Sequence, residues 1–119
     1  ADYACCLTGD LALLRDCAAA TMLPQLPPAR RVVAVLNNEG AGCAFTPGMD
    51  AELHRLMVQP PTYDLQEVAR LWGAEYYAIH CEGDFEVLDT LDPTAFALLD
   101  IIPDPEQTAA FNSALATLR

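Results

Sequence analysis

The sequence predicts an α/β fold: a doubly wound, mostly parallel sheet of about four strands with helices on both faces. Three observations predict it. Short apolar runs alternate with helical patterns along the chain, the alternation that builds a parallel sheet from crossover units. The run Arg31 to Leu36 (RVVAVL) is β-branched and apolar on both faces, as a central parallel strand must be. Turn-forming residues follow the first two strands, and in such sheets ligands sit outside the carboxyl ends of the strands.

Each element has its own signal. Tyr3 to Thr8 is a short apolar run closed by Gly9-Asp10 and is expected to be a buried strand. Leu11 to Leu23 carries apolar residues near helical spacing, with Asp10 placed to cap the first turn and Pro24 to Pro28 ending the helix. After RVVAVL, residues 37–48 are turn-rich, and Met49 to Val58 is expected to be a short helix. Asp64-Leu65-Gln66-Glu67 has the capping-box arrangement before a helix through Trp72, with Gly73 as its stop signal. Glu75 to His80 reads as a strand, Asp84 to Leu91 as a short helix, and Phe96 to Ile102 as the last strand. Asp104-Pro105-Glu106-Gln107 joins a capping residue to a Pro at the first helical position, and that helix is expected to run to about Leu118.

The chain of 119 residues is expected to be a single domain, 1–119, with no repeat, linker or low-complexity tract. Its formal net charge is −11, and all six basic residues are Arg. That balance argues against nucleic-acid binding, which depends on a basic face, and against an anionic membrane surface. No apolar run approaches the roughly 20 residues that span a bilayer. A phosphorylated ligand remains compatible, provided that backbone N–H groups or a bound cation receive it. Cys5, Cys6, Cys17, Cys43 and Cys81 are odd in number and contain no Cys-x-x-Cys, so they are expected to be reduced and mostly buried, in a reducing compartment.

The chemistry concentrates in two turns. Gly9-Asp10-Leu11 follows the first strand and Asn37-Asn38-Glu39-Gly40 follows the second, so a parallel sheet brings both to one edge. Asp10 offers a carboxylate oxygen, Asn38 an amide oxygen and Gly40 a backbone carbonyl, with Glu39 expected to point to solvent. A hard cation such as Mg²⁺ takes six oxygens and commonly keeps phosphate oxygens among them. Taken singly, each turn is an ordinary turn; at equivalent strand ends they form a candidate Mg²⁺–diphosphate site. His54 and His80 have no metal-ligand spacing, and no side chain has the setting of an activated nucleophile. Cys43, Phe45, Met49 and Arg15 are candidates for lining the site or for ordinary structural positions.

The two turns resemble the motif shared by enzymes that use thiamine diphosphate (ThDP), which opens with Gly-Asp and closes with Asn-Asn. Here residues 12–36, 25 in all, separate Gly9-Asp10-Leu11 from Asn37-Asn38. Leu11 replaces the third Gly usual in that motif. Gly9 to Asp16 (GDLALLRD), Asn37 to Phe45 (NNEGAGCAF) and Leu65 to Gly73 (LQEVARLWG) are similar to the corresponding stretches of one family, the 2-succinyl-5-enolpyruvyl-6-hydroxy-3-cyclohexene-1-carboxylate (SEPHCHC) synthases of menaquinone and phylloquinone biosynthesis. Cys43-Ala44 and one extra residue before Phe45 depart from the family pattern.

The resemblance implies the following. The domain is a partial ThDP-binding domain lacking its leading segment. Asp10, Asn38 and the Gly40 carbonyl would bind Mg²⁺, and Gly9, Asp10, Leu11, Asn38, Gly40, Ala41, Gly42 and Phe45 would contact the cofactor. The enzyme would decarboxylate a 2-oxo acid and transfer the acyl-anion equivalent to an acceptor, 2-oxoglutarate and isochorismate in that family. No catalytic residue is assigned within this chain; a pyrimidine-binding domain or subunit would supply the rest of the site, in a homo- or hetero-oligomer. The chain alone would be inactive. Its location would be cytoplasmic, or plastidial in a photosynthetic eukaryote. Two further readings stay open: another ThDP enzyme, such as a 2-oxo acid decarboxylase or an acetolactate-synthase-like enzyme, and a non-catalytic α/β interaction domain.

Overall fold

The structure is a computed structural model that describes residues 3–40, 49–58, 62 and 64–118, apart from the side chains of Pro24 and Met57. Four strands, β1 (Tyr3–Gly9), β2 (Arg30–Leu36), β3 (Glu75–Ile79) and β4 (Phe96–Ile101), form one sheet in the order β1-β2-β4-β3. Every neighbouring pair is parallel. The helices are α1 (Asp10–Arg15), α2 (Ala51–Met57), α3 (Leu65–Trp72), α4 (Val87–Thr90) and α5 (Pro105–Thr117).

Strand order explains which face each helix covers. The steps from β1 to β2 and from β2 to β3 run in one direction across the sheet, and the step from β3 to β4 reverses. With crossovers of one hand, α1 and α3 must share a face and α4 must take the other. The core divides accordingly. Leu13 of α1 and Leu65, Val68 and Ala69 of α3 pack with Val35 and Leu98. On the opposite face Val32, Ala34, Ile79, Ala97 and Leu99 pack with Leu91, against Val87 and Leu88 of α4. β2 and β4 therefore contribute residues to both cores, as the both-face apolar pattern of RVVAVL requires.

Several local signals act as expected. Asp64 accepts the Gln66 N–H at 2.9 Å, and Asp104 accepts those of Glu106 and Gln107 at 2.8 and 2.9 Å. Gly73 closes α3 at φ 68°, a left-handed conformation that glycine adopts without Cβ strain. The second arm of the expected capping box is used otherwise: Glu67 pairs with Arg70 at 2.8 Å.

Four expectations are corrected. The helix expected over Leu11 to Leu23 ends at Arg15 and continues as 3-10 turns over Cys17–Thr21 and Leu23–Gln25. The indole N–H of Trp72 donates to the Cys17 carbonyl at 3.1 Å, so a tertiary bond takes an acceptor that α-helix would use, and Pro24 has no N–H to offer. Asp10 is the first residue of α1 rather than its cap, since Gly9 occupies the capping position. β1 is an exposed edge strand rather than a buried one, because among the described residues its only sheet neighbour is β2. Cys5, Cys6 and Cys81 are exposed and Cys17 is half-buried; all four are free thiols, and Cys43 lies outside the described residues.

Candidate functional site

The carboxyl edge of β1 and β2 brings the two turns together. Gly9 pairs in register with Leu36, so Asp10 and Asn37 leave their strands at the same level. Asp10 is 2% exposed, a depth at which a carboxylate needs partners. It has two from the backbone. Its Oδ1 accepts the Leu11 N–H at 2.8 Å, and its Oδ2 accepts the Gly40 N–H at 2.6 Å across 30 residues of sequence. Asp10 is therefore the clasp that joins the two turns, and each of its oxygens keeps a second lone pair for a cation.

The second turn is shaped by the first of its two asparagines. Asn37 Oδ1 accepts the Glu39 N–H at 3.2 Å, the side-chain turn that Asn forms with a residue two positions on. Glu39 and Gly40 then take positive φ values of 58° and 78°, which aims the Gly40 N–H at Asp10. Only the glycine adopts that conformation without a steric cost. Glu39 is exposed, as expected.

Asn38 lies between these features, half-buried, and its Oδ1 is fully buried with no hydrogen-bond partner among the described residues. A buried amide oxygen without a partner costs about 1–3 kcal/mol, so its retention points to a ligand. The atom fits a hard cation: it is a neutral oxygen two residues before Gly40, whose N–H the Asp10 carboxylate accepts, and Mg²⁺ selects oxygen donors of these kinds. Gly9 is compatible with a bound group. It is extended (φ −89°, ψ 161°), and a Cβ built on it meets no described atom within 4 Å. Among the described residues no group of three or more His, Cys, Asp and Glu side chains is arranged to hold a metal; Asp10 and Asn38 together offer a single carboxylate.

Of the expected site residues, the structure gathers Gly9, Asp10, Leu11, Asn38 and Gly40. Ala41, Gly42, Cys43 and Phe45 lie outside the described residues. Met49 is half-buried just before α2. Arg15 is exposed in the last turn of α1, at the end of that helix opposite Asp10. His80 is exposed after β3, and His54 lies on α2.

Two features of the carboxyl edge escaped the sequence. One is the turn-forming role of Asn37, for which the signal was an Asn two residues before the left-handed positions. The other is a polar pair on the α3 face: Tyr76 donates its hydroxyl to Asp100 Oδ2 at 2.8 Å, while Asp100 Oδ1 is buried without a partner among the described residues. Burial, followed by the bond to Asp100 and its negative charge, drives the Tyr76 pKa well above its ordinary value. A shallow groove of about 360 Å³ lined by Leu14, Cys17, Glu67, Val68 and Leu71 involves none of the site residues.

Fold and site together define a doubly wound α/β domain with an oxygen-rich clasp at the carboxyl edge of two adjacent parallel strands. No family model matches the chain. It is 39% identical over 114 residues to the 2-succinyl-5-enolpyruvyl-6-hydroxy-3-cyclohexene-1-carboxylate synthase of Akkermansia muciniphila, a match covering 92% of this chain and 21% of that protein. Over that segment the chain is similar to that synthase, and it spans about a fifth of that protein's length. No helix among the described residues is long and apolar enough to cross a membrane.

Proposed function

We propose that this chain forms the diphosphate- and Mg²⁺-binding part of a ThDP-dependent synthase. The observation that carries the proposal is the buried Asn38 Oδ1, without a hydrogen-bond partner among the described residues, in the turn that the Asp10 carboxylate clasps through the Gly40 N–H while also holding the Leu11 N–H. Asp10, Asn38 and the Gly40 carbonyl are the proposed metal ligands. The backbone of Gly9, Leu11, Ala41 and Gly42, with the Phe45 side chain, completes the proposed cofactor contacts.

The acidic chain supports this arrangement. With a net charge of −11 it has little cationic side-chain charge to spend on a diphosphate, so a cation held by Asp10 and Asn38 supplies the neutralisation. The turn after β2 fixes the donors before a ligand arrives, because Asn37 sets the Glu39–Gly40 conformation and Asp10 locks it. When bound, ThDP supplies the chemistry that decarboxylates a 2-oxo acid and delivers an acyl-anion equivalent to an acceptor. The residues of this chain bind and orient; none is assigned a proton transfer. For the whole protein, the resemblance to SEPHCHC synthase favours 2-oxoglutarate and isochorismate as substrates and an oligomer in which a pyrimidine-binding domain completes the site.

The subsite is tested with inorganic diphosphate and Mg²⁺ by titration calorimetry. Diphosphate is expected to bind only with the metal present, and Asp10→Ala or Asn38→Ala to weaken that binding by about tenfold or more, the equivalent of losing about 1.4 kcal/mol of ligand contact. Metal-independent binding, or binding unchanged by both substitutions, overturns the assignment. Titrating ThDP itself against the chain joined to a pyrimidine-binding domain then tests the cofactor.

A further inference from the structure

The turn after β2 holds a strained residue whose side chain the fold does not use. Glu39 stands at φ 58°, the one non-glycine residue with positive φ among the described residues. The conformation is set inside the turn and its clasp: Asn37 Oδ1 accepts the Glu39 N–H, and Asp10 Oδ2 accepts the Gly40 N–H. Glycine adopts it freely, and Asn and Asp adopt it more readily than Glu. Glu39 is exposed, and among the described residues its carboxylate makes neither a hydrogen bond nor an ion pair that would offset the strain. Strain held without a stabilising contact points to a role in function. The residue stands between Asn38 and Gly40, so its charge belongs to the candidate metal site.

We propose that Glu39 sets the charge balance of that site, favouring the cation over the anion, so that a diphosphate group enters only with a divalent metal ion. This rests on the reading of Asp10, Asn38 and the Gly40 carbonyl as metal ligands. Asp10 supplies one negative charge by contact, and Glu39 supplies a second through space. Consecutive Cα atoms lie about 3.8 Å apart, which keeps the Glu39 carboxylate within roughly 10 Å of a metal ion bound by Asn38 and the Gly40 carbonyl. At that distance in water, one carboxylate attracts a divalent cation strongly enough to raise its affinity about fourfold. The same carboxylate repels a multiply charged anion by a similar factor. Residues 37–40 include no cationic side chain to cancel that field.

Mn²⁺ and inorganic diphosphate are the probes. Electron paramagnetic resonance counts free Mn²⁺ against the chain, and calorimetry follows diphosphate binding to the Mn²⁺-loaded chain. Asn38→Leu gives the background contributed by the acidic surface. In low-salt buffer Glu39→Gln is expected to weaken Mn²⁺ binding about fourfold and to tighten diphosphate binding by about the same factor. Both shifts should fall below about 1.5-fold at about 0.5 M salt, because screening removes a through-space effect. Glu39→Asp keeps the charge and should stay within about twofold of wild type for both probes. Glu39→Gly should repeat the Glu39→Gln shifts and, without ligands, melt a few degrees higher as the strain is relieved. A merely structural role would not move the two probes in opposite directions. Unchanged affinities in Glu39→Gln, or shifts of the same sign for both probes, overturn the proposal while Asn38→Leu still abolishes site binding. If Asn38→Leu binds both probes like the wild type, the metal-site reading itself fails and this inference falls with it.

Discussion

Removing the Asp10 carboxylate tests the clasp independently of any cofactor. In Asp10→Ala the buried Gly40 N–H loses its acceptor, and so does the Leu11 N–H. Hydrogen bonds to a charged group contribute about 1.5–3 kcal/mol each, and a buried donor left unpaired incurs its desolvation cost. The Leu11 N–H is in the first turn of α1, where water can replace the carboxylate, so its share is small. The Gly40 N–H has no such access, since Gly40 is buried. The expected destabilisation is about 2–4 kcal/mol, a large fraction of the roughly 5–15 kcal/mol that holds a typical domain folded. Asp10→Asn keeps the shape but turns an amide NH₂ toward one of the two donors. It should cost about 1–3 kcal/mol, less than the alanine. Urea unfolding with a chelator present, monitored by circular dichroism, measures both. A loss below about 0.5 kcal/mol for Asp10→Ala would refute the clasp, because that is the range of a surface substitution touching nothing.

Three other perturbations separate the roles of neighbouring residues. Asn38→Leu replaces the unpartnered buried oxygen with apolar volume; the metal-free chain should be unchanged or more stable by up to about 1–2 kcal/mol, while stabilisation by Mg²⁺ and diphosphate disappears. Thermal melts with and without both ligands check it, and a destabilised apo chain would show that the oxygen has a structural partner. Gly9→Ala should fold normally, because the position is extended and a Cβ meets no described atom within 4 Å, yet weaken diphosphate binding severalfold in calorimetry. Tyr76 has a raised folded-state pKa, so its contribution is fully present below the unfolded tyrosine value of about 10 and is lost as pH rises beyond it. Tyr76→Phe should lower stability by about 1–3 kcal/mol at neutral pH, by leaving the buried Asp100 carboxylate without its donor, and flatten the alkaline fall measured by urea melts.

The sequence and the structure agree where a signal is local and part where it depends on distant neighbours. RVVAVL announced a central strand because apolar residues at successive positions need cover on both faces, and α1, α3 and α4 provide it. Asp64 and Asp104 were readable as caps because a cap is settled within three residues. The break at Arg15 was not, since the Trp72 bond to the Cys17 carbonyl spans 55 residues. The Tyr76–Asp100 pair was equally hidden, because it depends on strands β3 and β4 lying side by side with Ala78 opposite Asp100.

Asn37 and Asn38 show the same division within one turn. Both are asparagine, and the resemblance to the ThDP motif takes them as a pair. The structure separates them by what each oxygen meets. Asn37 Oδ1 is used within the turn, at 3.2 Å from the Glu39 nitrogen. Asn38 Oδ1 is buried and has no hydrogen-bond partner among the described residues. The first residue therefore fixes the backbone that delivers the Gly40 N–H to Asp10, and the second is the oxygen left over for a ligand. β1 presents this contrast on a larger scale. Its short apolar run predicted burial, and within the described residues it meets β2 on one side only. In both places an expectation of partnership read from the sequence stands beside an unpartnered group in the structure. The oxygen and the strand edge are consequently the two positions at which something outside the described residues has the most to add.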